Sequence, residues 1–310
     1  TIELNSNRAF TSFLKIIKII INLKKEKIIF VSNINYANIL SVIFLKIIYK
    51  FKNLKLVLIE RTPLNELRIY YDVVDFFKKK VIILLIYFFY KKADLIICNS
   101  LKTSSDFKKL SKKRSYTVYP QPIISNKKFF KRKTKHYFEI MTIARLSKEK
   151  RIQDIIMAVS NTNLSNIRLN VIGDGNLKNK LFELAKSRNI NVKFVSYSLI
   201  NEKKYFKKAN LYINSSDFEG FPSTVVQALN ESIPVISSKS HGGIYEILNY
   251  GKLGKLFNSR DHTELSKNIK KIYFNYDTVI HKLKKNKNYL NKFLNKKNFD
   301  KYNYLFERIK

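Results

Sequence analysis

The sequence contains a single cysteine, Cys98, which excludes a disulfide framework and a Cys-x-x-Cys metal site. Cys98 lies in the apolar run 95–98, where a small buried side chain is a better interpretation than a nucleophile. Long apolar runs are also missing. A membrane-spanning helix needs about 20 apolar residues, whereas the longest run, Val81–Tyr90, has ten and follows directly on three lysines. The sequence therefore predicts no transmembrane helix.

Acidic residues are scarce relative to basic ones: 23 aspartates and glutamates face 60 lysines and arginines, a formal net charge of +37 over 310 residues. Such a charge is typical of proteins that bind nucleic acid or an anionic membrane. It is also expected from a genome of low GC content, because Lys, Asn, Ile, Phe and Tyr are abundant together and the lysines are scattered. No zinc-finger spacing, recognition helix or RNP-like aromatic pattern accompanies the charge, so we expect no nucleic-acid partner.

Short apolar runs alternate with helical stretches along the whole chain, and there is no internal repeat. This alternation predicts βαβ units and doubly wound parallel sheets, whose strands are apolar because both faces are covered. The predicted strands are 28–32, 54–60, 95–98, 116–119, 138–143, 167–172, 192–195, 211–214 and 235–237.

A break in this pattern gives the domain organisation. Pro120-Gln121-Pro122 interrupts regular structure, and the basic, polar stretch 125–135 follows it. We therefore predict an N-terminal domain over 1–130 and a C-terminal domain over 131–275. The segment 276–310 has a helical pattern, and we expect it to pack back toward the N-terminal domain.

The densest chemical signal is the stretch 219–229, EGFPSTVVQAL. Gly220 permits a turn and Pro222 suits the first helical position, so Ser223 and Thr224 contribute unpaired N–H groups to a helix N-terminus that attracts an anion. Glu219 lies just before this helix and is either a ligand-binding carboxylate or a simple capping partner.

Three further loops follow predicted strands. Arg145 and Lys150 lie in the loop after 138–143, where a planar guanidinium and a mobile ammonium suit a diphosphate, although such pairs also arise by chance in a lysine-rich chain. Gly173-Asp174-Gly175 forms a tight turn that can equally well just reverse the chain. His241-Gly242-Gly243 either lets a ligand approach the backbone closely or is a plain loop.

In this order, the four loops resemble the second domain of the retaining glycosyltransferases of the group 1 type, family four, which have the GT-B fold. The resemblance is continuous over about 138–274 and looser before it, at ADLIICNSLKTSSDF and VYPQPI. The matching stretches are IARLSKEKRIQDI, LNVIGDGNLKNKLFELA, VKFVSY, ANLYINSSDFEGFPSTVVQALNESIPVISS and HGGIYEIL.

The resemblance implies an α/β fold of two Rossmann-like, doubly wound domains facing a cleft, with the N-terminal domain incomplete. It also implies transfer of a sugar, with retention, from a UDP- or GDP-sugar to an acceptor hydroxyl, without a metal or other cofactor. Arg145, Lys150 and Glu219 would be catalytic: the first two would stabilise the departing diphosphate and Glu219 would contact the donor sugar. The donor-binding residues implied are Gly173, Ser196, Tyr197, Gly220, Phe221, Pro222, Ser223, Thr224 and Gln227, with Phe221 and Pro222 along the sugar and Ser196 and Tyr197 at the base.

The sequence departs from the family in two places. Gln227 replaces the second acid of the E-x7-E motif, which predicts weaker contact with the donor ribose because an amide lacks charge assistance. The histidine that the family often places near the reacting carbon has no counterpart in the N-terminal part. Glu60 or Arg61 occupies a comparable place, and a surface salt bridge is an equally good interpretation of this pair.

These features predict a sugar transferase of polysaccharide, capsule or lipopolysaccharide synthesis that is cytoplasmic, with a lipid-linked acceptor and peripheral contact with an anionic membrane. Lys78-Lys79-Lys80 beside Val81–Tyr90 suits anionic headgroups, but a core helix with solvated lysines explains the same pattern. The alternative function is a catalytically impaired homologue that acts as a nucleotide-sugar-binding or scaffold protein.

Overall fold

A computed structural model describes residues 9–23, 26–120, 137–197 and 202–310. The chain divides into two compact units. The first comprises Thr1–Val118 together with Asp300–Lys310, and the second comprises Tyr119–Phe299. The predicted boundary after residue 130 and the polar stretch 125–135 lie outside the described residues.

The first unit is built on a parallel sheet with the strand order β1-β2-β3-β4. Its central strands are apolar and almost fully buried, as parallel strands covered on both faces must be. The strands are β1 (Ile28–Asn33), β2 (Leu54–Glu60), β3 (Leu95–Cys98) and β4 (Tyr116–Thr117).

Helices connect these strands. Two of them begin at capping side chains: Asp72 accepts the Asp75 N–H at 2.7 Å, and Ser100 accepts the Thr103 N–H at 3.2 Å. The helices are α1 (Ala9–Asn22), α2 (Asn35–Ser41), a π-helix (Val42–Ile48), a 3-10 helix (Leu64–Arg68), α3 (Val73–Phe89), a 3-10 turn (Tyr90–Lys92) and α4 (Leu101–Ser111).

Glu60, at the end of β2, is buried, contrary to one of the two interpretations of the sequence. Its side chain is 1% exposed, which makes the surface salt bridge wrong for this residue. Asn38 Nδ2 donates to its Oε1 at 2.6 Å, and the Tyr90 hydroxyl donates to the same oxygen. Burial raises the pKa of Glu60 from 4.5 to about 7, because these two hydrogen bonds only partly offset the lost hydration. Arg61, by contrast, is exposed.

The second unit contains a larger parallel sheet with the strand order β12-β10-β8-β5-β6-β7. A short parallel pair, β9 with β11, stands apart from it. The strands are β5 (Phe138–Ile143), β6 (Ile167–Ile172), β7 (Val192–Val195), β8 (Leu211–Asn214), β9 (Phe218–Glu219), β10 (Val235–Ser238), β11 (His241–Gly242) and β12 (Lys255–Phe257).

Two apolar layers cover the large sheet. One packs α5, α6 and α10 around Ile140, Leu169 and Leu211, and the other packs α8 and α9 around Tyr212 and Val235. The helices of this unit are α5 (Ile152–Ser160), α6 (Lys178–Ser187), α7 (Glu202–Lys208), α8 (Ser223–Asn230), α9 (Ile244–Ile247), α10 (His262–Phe274) and α11 (Tyr276–Asn286), with 3-10 turns at Lys148–Lys150 and Lys287–Phe293.

The C-terminal segment, predicted as one block over 276–310, divides between the two units. Leu283, Leu290 and Phe293 join the core of the second unit. The last helix, α12 (Asn295–Glu307), carries Leu305, which packs with Val57 and Val118 in the core of the first unit. Each unit therefore uses C-terminal residues to complete an apolar layer.

Candidate functional site

The strand order of the large sheet places two loops side by side. From β5 the chain winds outward through β6 and β7, whereas β8, on the other side of β5, leads outward to β10 and β12. The carboxyl ends of β5 and β8 therefore form a topological switch point, where open α/β sheets bind their ligands. The loop after β5 carries Arg145 and Lys150, and Glu219 follows β8.

An ion pair joins these two loops. Lys150 Nζ lies 2.6 Å from Glu219 Oε1, and both side chains are about four-fifths buried. The hydroxyl of the buried Ser216 donates to the same oxygen at 2.7 Å. Among the described residues, nothing donates a hydrogen bond to Glu219 Oε2. One carboxylate oxygen is thus fixed, and the other can accept a hydrogen bond from a ligand.

Main-chain contacts hold the two loops together independently of this pair. The Asp217 N–H donates to the Glu149 carbonyl at 2.8 Å, and the Ser215 hydroxyl donates to the Lys150 carbonyl at 2.7 Å. The carboxylate of Asp217 is itself buried and accepts from the Ser259 hydroxyl at 2.6 Å. Lys150 therefore emerges from a backbone that is fixed on both sides.

The Gly173 turn lies directly against the loop of Arg145. With φ at +142°, a Cβ at Gly173 would stand 1.9 Å from the carbonyl oxygen of Ala144, so only glycine permits this approach. The Gly173 N–H donates to the Val195 carbonyl at 2.8 Å and is already used within the fold. Gly173 thus supports the Arg145 loop, and its contact with a donor stays a prediction.

Gly242 has the same function beside Glu219. Its φ is +114°, and a Cβ there would lie 1.8 Å from the Glu219 carbonyl oxygen. The next residue, Gly243, donates its N–H to the Gly220 carbonyl at 2.8 Å. For this glycine pair the sequence left two interpretations open, close approach of a ligand or a plain loop. In the structure, Gly242 lets the β11 backbone approach the Glu219 backbone.

Helix α8 starts at Ser223, as the sequence predicts, but Pro222 is its N-cap and not its first helical residue. In its first turn the Val225 N–H donates to the Pro222 carbonyl at 3.0 Å. The N–H groups of Ser223 and Thr224 have no preceding helical turn to bond, and the helix dipole adds partial positive charge there. Thr224 is fixed by the Tyr212 hydroxyl, which donates to its Oγ1 at 2.8 Å. This N-terminus is chemically suited to an anion.

Phe221 is only 7% exposed. Its ring packs against Tyr119 and Phe293, with centroids 5.4 and 5.3 Å away. Its neighbours Gly220 and Pro222 are buried as well. The structure gives Phe221 a packing function, and the contact of Phe221 and Pro222 with a sugar stays a prediction.

Gln227 lies one turn along α8 from Ser223. Its Oε1 is buried and has no hydrogen-bond partner within the described part of the chain. Such an acceptor costs about 1–3 kcal/mol unless a donor reaches it. A ligand hydroxyl could supply that donor, which is the type of contact predicted for this position.

The two residues predicted to border the base lie at the outer part of the sheet edge, after the edge strand β7, whereas Arg145 follows the inner strand β5. Ser196 and Tyr197 follow β7 and are exposed; the Ser196 hydroxyl lies 3.4 Å from Asp174 Oδ1. A hydrogen bond from Lys178 is the main reason that the pKa of Asp174 is lowered. Arg145 is exposed and forms no salt bridge with any described residue, so its guanidinium is available to an anion.

Among the described residues, no group of three or more His, Cys, Asp or Glu side chains is placed to hold a metal ion. The site combines two cations, a helix N-terminus and a carboxylate of which one oxygen is already hydrogen-bonded. These groups can bind a diphosphate and accept hydrogen bonds from hydroxyls.

Sequence reasoning missed Ser216, the hydroxyl that fixes Glu219, and the supporting role of Asp217. One signal was available: the apolar strand 211–213 leads into Asn214-Ser215-Ser216-Asp217, a polar run at the carboxyl end of a buried strand. Polar residues in that position are candidates for a site.

Comparison with known proteins places the chain in a family. The model of the family "Glycosyl transferases group 1" matches residues 124–290, more than half of the sequence. The protein therefore belongs to the group 1 glycosyltransferases. The predicted α/β fold with parallel, Rossmann-like sheets is confirmed, and it is of the GT-B type.

Particular relatives agree with this assignment. An uncharacterized glycosyltransferase of Methanocaldococcus jannaschii, MJ1059, is 32% identical over 76% of this chain and 60% of its own length. An N-acetylgalactosamine-N,N'-diacetylbacillosaminyl-diphospho-undecaprenol 4-alpha-N-acetylgalactosaminyltransferase of Campylobacter jejuni is 26% identical over 48% of this chain and 40% of its own. The chain thus spans 60% or less of the length of these relatives.

Among solved structures, Alr3699/HepE of Anabaena in complex with UDP has a TM-score of 0.75. The match covers 98% of this chain and 86% of that chain, at 17% identity. At that identity the likeness concerns the fold alone.

Proposed function

We propose that this protein transfers a sugar from a nucleoside diphosphate sugar, a UDP- or GDP-sugar, to an acceptor hydroxyl, with retention at the anomeric carbon and without a metal ion. The observation that carries the proposal is the Lys150–Glu219 pair at the switch point between β5 and β8, beside the exposed Arg145 and the N-terminus of α8. The family membership and the UDP complex of the fold relative HepE support it.

The cations act on the leaving group. As the glycosidic bond breaks, negative charge develops on the β-phosphate, and fixed positive groups aimed at that charge lower the barrier. Arg145 offers a planar fork to two phosphate oxygens, and Lys150 adds a point charge. The N–H groups of Ser223 and Thr224 complete this environment, so that a divalent cation is not needed.

The carboxylate acts on the sugar. Because Lys150 and Ser216 fix Oε1 of Glu219, Oε2 is positioned to accept a hydrogen bond from a donor hydroxyl. Gln227 reaches the ribose with its unpaired Oε1. The backbone of residues 173, 220, 221 and 222 borders the sugar and phosphates, and Ser196 and Tyr197 border the base.

The acceptor that we propose is a lipid-linked saccharide of polysaccharide or lipopolysaccharide synthesis, met at the cytoplasmic face of the membrane. The name of the Campylobacter relative supports this class, because it specifies a diphospho-undecaprenol substrate. Such an acceptor requires that the enzyme work at a bilayer surface.

The test measures UDP and GDP binding by calorimetry and donor turnover by release of the nucleoside diphosphate. Arg145→Ala and Lys150→Ala should each lower turnover about 100-fold or more and weaken diphosphate binding. Lys148→Ala, which removes an exposed cation from the same turn, is the matched control and should leave both quantities unchanged.

Three outcomes decide between the hypotheses. If Arg145→Ala, Lys150→Ala and Lys148→Ala were all as active as the unaltered protein, the assignment of the site would be wrong. Tight diphosphate binding by the unaltered chain without turnover of any donor, with or without acceptor, would favour the nucleotide-sugar-binding scaffold. An anomeric proton coupling that shows inversion in the product would contradict retention.

A further inference from the structure

Helix α3 in the first unit exposes an unusual amount of apolar side chain. We call this the α3 surface and define it by the exposed apolar side chains of the helix: Val73, Val74, Phe76, Phe77, Val81, Leu84, Tyr87 and Phe88. Two exposed tyrosines, Tyr70 and Tyr71, precede it directly. Scattered apolar residues are normal on a protein surface, whereas a contiguous group of this kind marks an interaction site.

These side chains share one side of the helix. Phe77, Val81, Leu84 and Phe88 follow the i, i+4, i+7, i+11 spacing of a single helical stripe, and each is between 47% and 62% exposed. The buried residues of α3, Ile82 and Ile86, point the opposite way, into the core of the first unit. From Val81 to Phe89 the helix is therefore apolar all round but fully buried on one side only.

This finding corrects one interpretation of the sequence. A helix that is apolar on every side is normally buried, and a core helix was one explanation of the run Val81–Tyr90. In the structure only Ile82, Ile86 and Tyr90 of that run are buried. The core-helix explanation is wrong for the other side of the helix.

Lysines border the α3 surface. Lys78 and Lys80 are exposed within it, and Lys91 and Lys92 are exposed just beyond its C-terminal end. The Lys80 ammonium lies 5.4 Å from the centroid of the Phe76 ring. Among the charged residues of α3, Lys79 is paired, because its Nζ lies 2.8 Å from the Asp75 carboxylate. The exposed charge within the helix is therefore positive, and the exposed Asp72 at its N-cap is an acidic neighbour.

We infer that the α3 surface docks onto an anionic lipid bilayer, with its aromatic and aliphatic side chains in the headgroup region and its lysines on lipid phosphates. Mixed basic and aromatic surfaces of this type lie in the interfacial plane of membranes. A second copy of the chain fits less well, because both copies would bring lysines to the contact on a chain of net charge +37. No helix in the described ranges is long and apolar enough to cross a membrane.

The first experiment measures partition onto phosphatidylcholine vesicles that contain 30% phosphatidylglycerol. Phe77→Ser should weaken partition about tenfold or more, whereas Phe274→Ser, which removes an equally exposed ring from the second unit, should have little effect. Lys78→Gln with Lys80→Gln should weaken it about thirtyfold, since each lysine contributes about fivefold. The matched double variant Lys267→Gln with Lys271→Gln on α10 should change it less than threefold.

The second experiment uses the absence of tryptophan from the chain. Leu84→Trp introduces a single tryptophan into the α3 surface, and Phe274→Trp introduces one elsewhere. On the anionic vesicles, the emission of the tryptophan at position 84 should shift to the blue and be quenched by brominated lipids, and that at position 274 should not. These measurements do not involve sugar transfer, so their result is independent of the proposed reaction.

The inference is overturned if the unaltered protein does not bind the vesicles at low salt. It is also overturned if the tryptophans at positions 84 and 274 show the same emission shift and the same quenching. It is also overturned in favour of self-association if sedimentation shows a dimer that Phe77→Ser dissociates. Unchanged melting temperatures of the variants would show that each of them is folded.

Discussion

Glu60 gives a quantitative prediction for the stability of the first unit. Its pKa is about 7 in the folded chain and 4.5 when freely hydrated, because burial disfavours the charged form. Between these two pH values the folded state keeps a proton that the unfolded chain has released, so the free energy of unfolding falls as the pH rises. At 1.36 kcal/mol per pKa unit, the full loss is about 3 kcal/mol, complete above pH 7.

Glu60→Gln should remove this dependence. The amide oxygen can accept the bonds from Asn38 and Tyr90, and the amide nitrogen takes the place of Oε2, which has no partner among the described residues. The variant therefore mimics the protonated carboxyl. Relative to the unaltered protein, it should gain about 3 kcal/mol of stability between pH 4.5 and pH 8.

The assay is urea unfolding at a series of pH values, followed for both proteins under the same conditions. Other titrating groups, including the histidines, are shared and cancel in the difference. Glu26→Gln, a carboxyl-to-amide change at an exposed position of the same unit, should give a flat difference curve. A flat curve for Glu60→Gln as well would refute the argument that this carboxyl is buried in its neutral form.

Two further predictions concern the loop of Glu219. Gly242→Ala should lower the free energy of unfolding by at least about 3 kcal/mol, because its Cβ would overlap the Glu219 carbonyl. Gly251→Ala, with φ +92° and a Cβ at an ordinary contact distance of 3.9 Å from the Gly254 carbonyl oxygen, should cost about 1–2 kcal/mol. Equal costs would contradict the steric reasoning. Ser216→Ala removes the hydroxyl bonded to the Glu219 carboxylate and should cost about 1–2 kcal/mol in chemical unfolding, compared with no measurable change for the exposed Thr263→Ala.

The sequence was most informative where burial alone decides the structure. The strand 54–60 has the predicted bounds because a parallel strand covered on both faces must be largely apolar, and here only Lys55 and Glu60 depart from that pattern. The same rule located β5, β6 and β8 and with them the switch point. The pair β9–β11 and strand β12 escaped prediction, since segments of two or three residues become strands only through their partners.

The type of helix and the residues that contact solvent were harder to predict from the sequence. Helix α2 continues from Ser41 as the π-helix Val42–Ile48, in which the Tyr49 N–H donates to the Phe44 carbonyl at 2.9 Å. Composition does not distinguish an α-helix from a π-helix. Glu60 is buried although Arg61, the next residue, is exposed. Helix α3 is apolar on every side from Val81 to Phe89, so the periodicity there could not indicate which side faces the core.

In the candidate site, the sequence identified Arg145, Lys150 and Glu219 as chemically apt residues. It could not predict that Lys150 and Glu219 form an ion pair at 2.6 Å, because that distance depends on strand pairing between distant segments. The contact of Ser216 with Glu219 could not be predicted for the same reason. A serine is informative only when the carboxylate that it bonds is known.

The pairing of β5 with β8 also determines when the site can form during synthesis. Lys150 and Glu219 are 69 residues apart in sequence, and contacts of such separation form late because the intervening chain must first be ordered. A nascent chain that has left the ribosome only as far as β7 already contains both cations but lacks the carboxylate that pairs with one of them. Until β8 joins the sheet, the incomplete second unit exposes both cations without the carboxylate partner of Lys150. It also exposes the unpaired backbone edge of β5 to other chains.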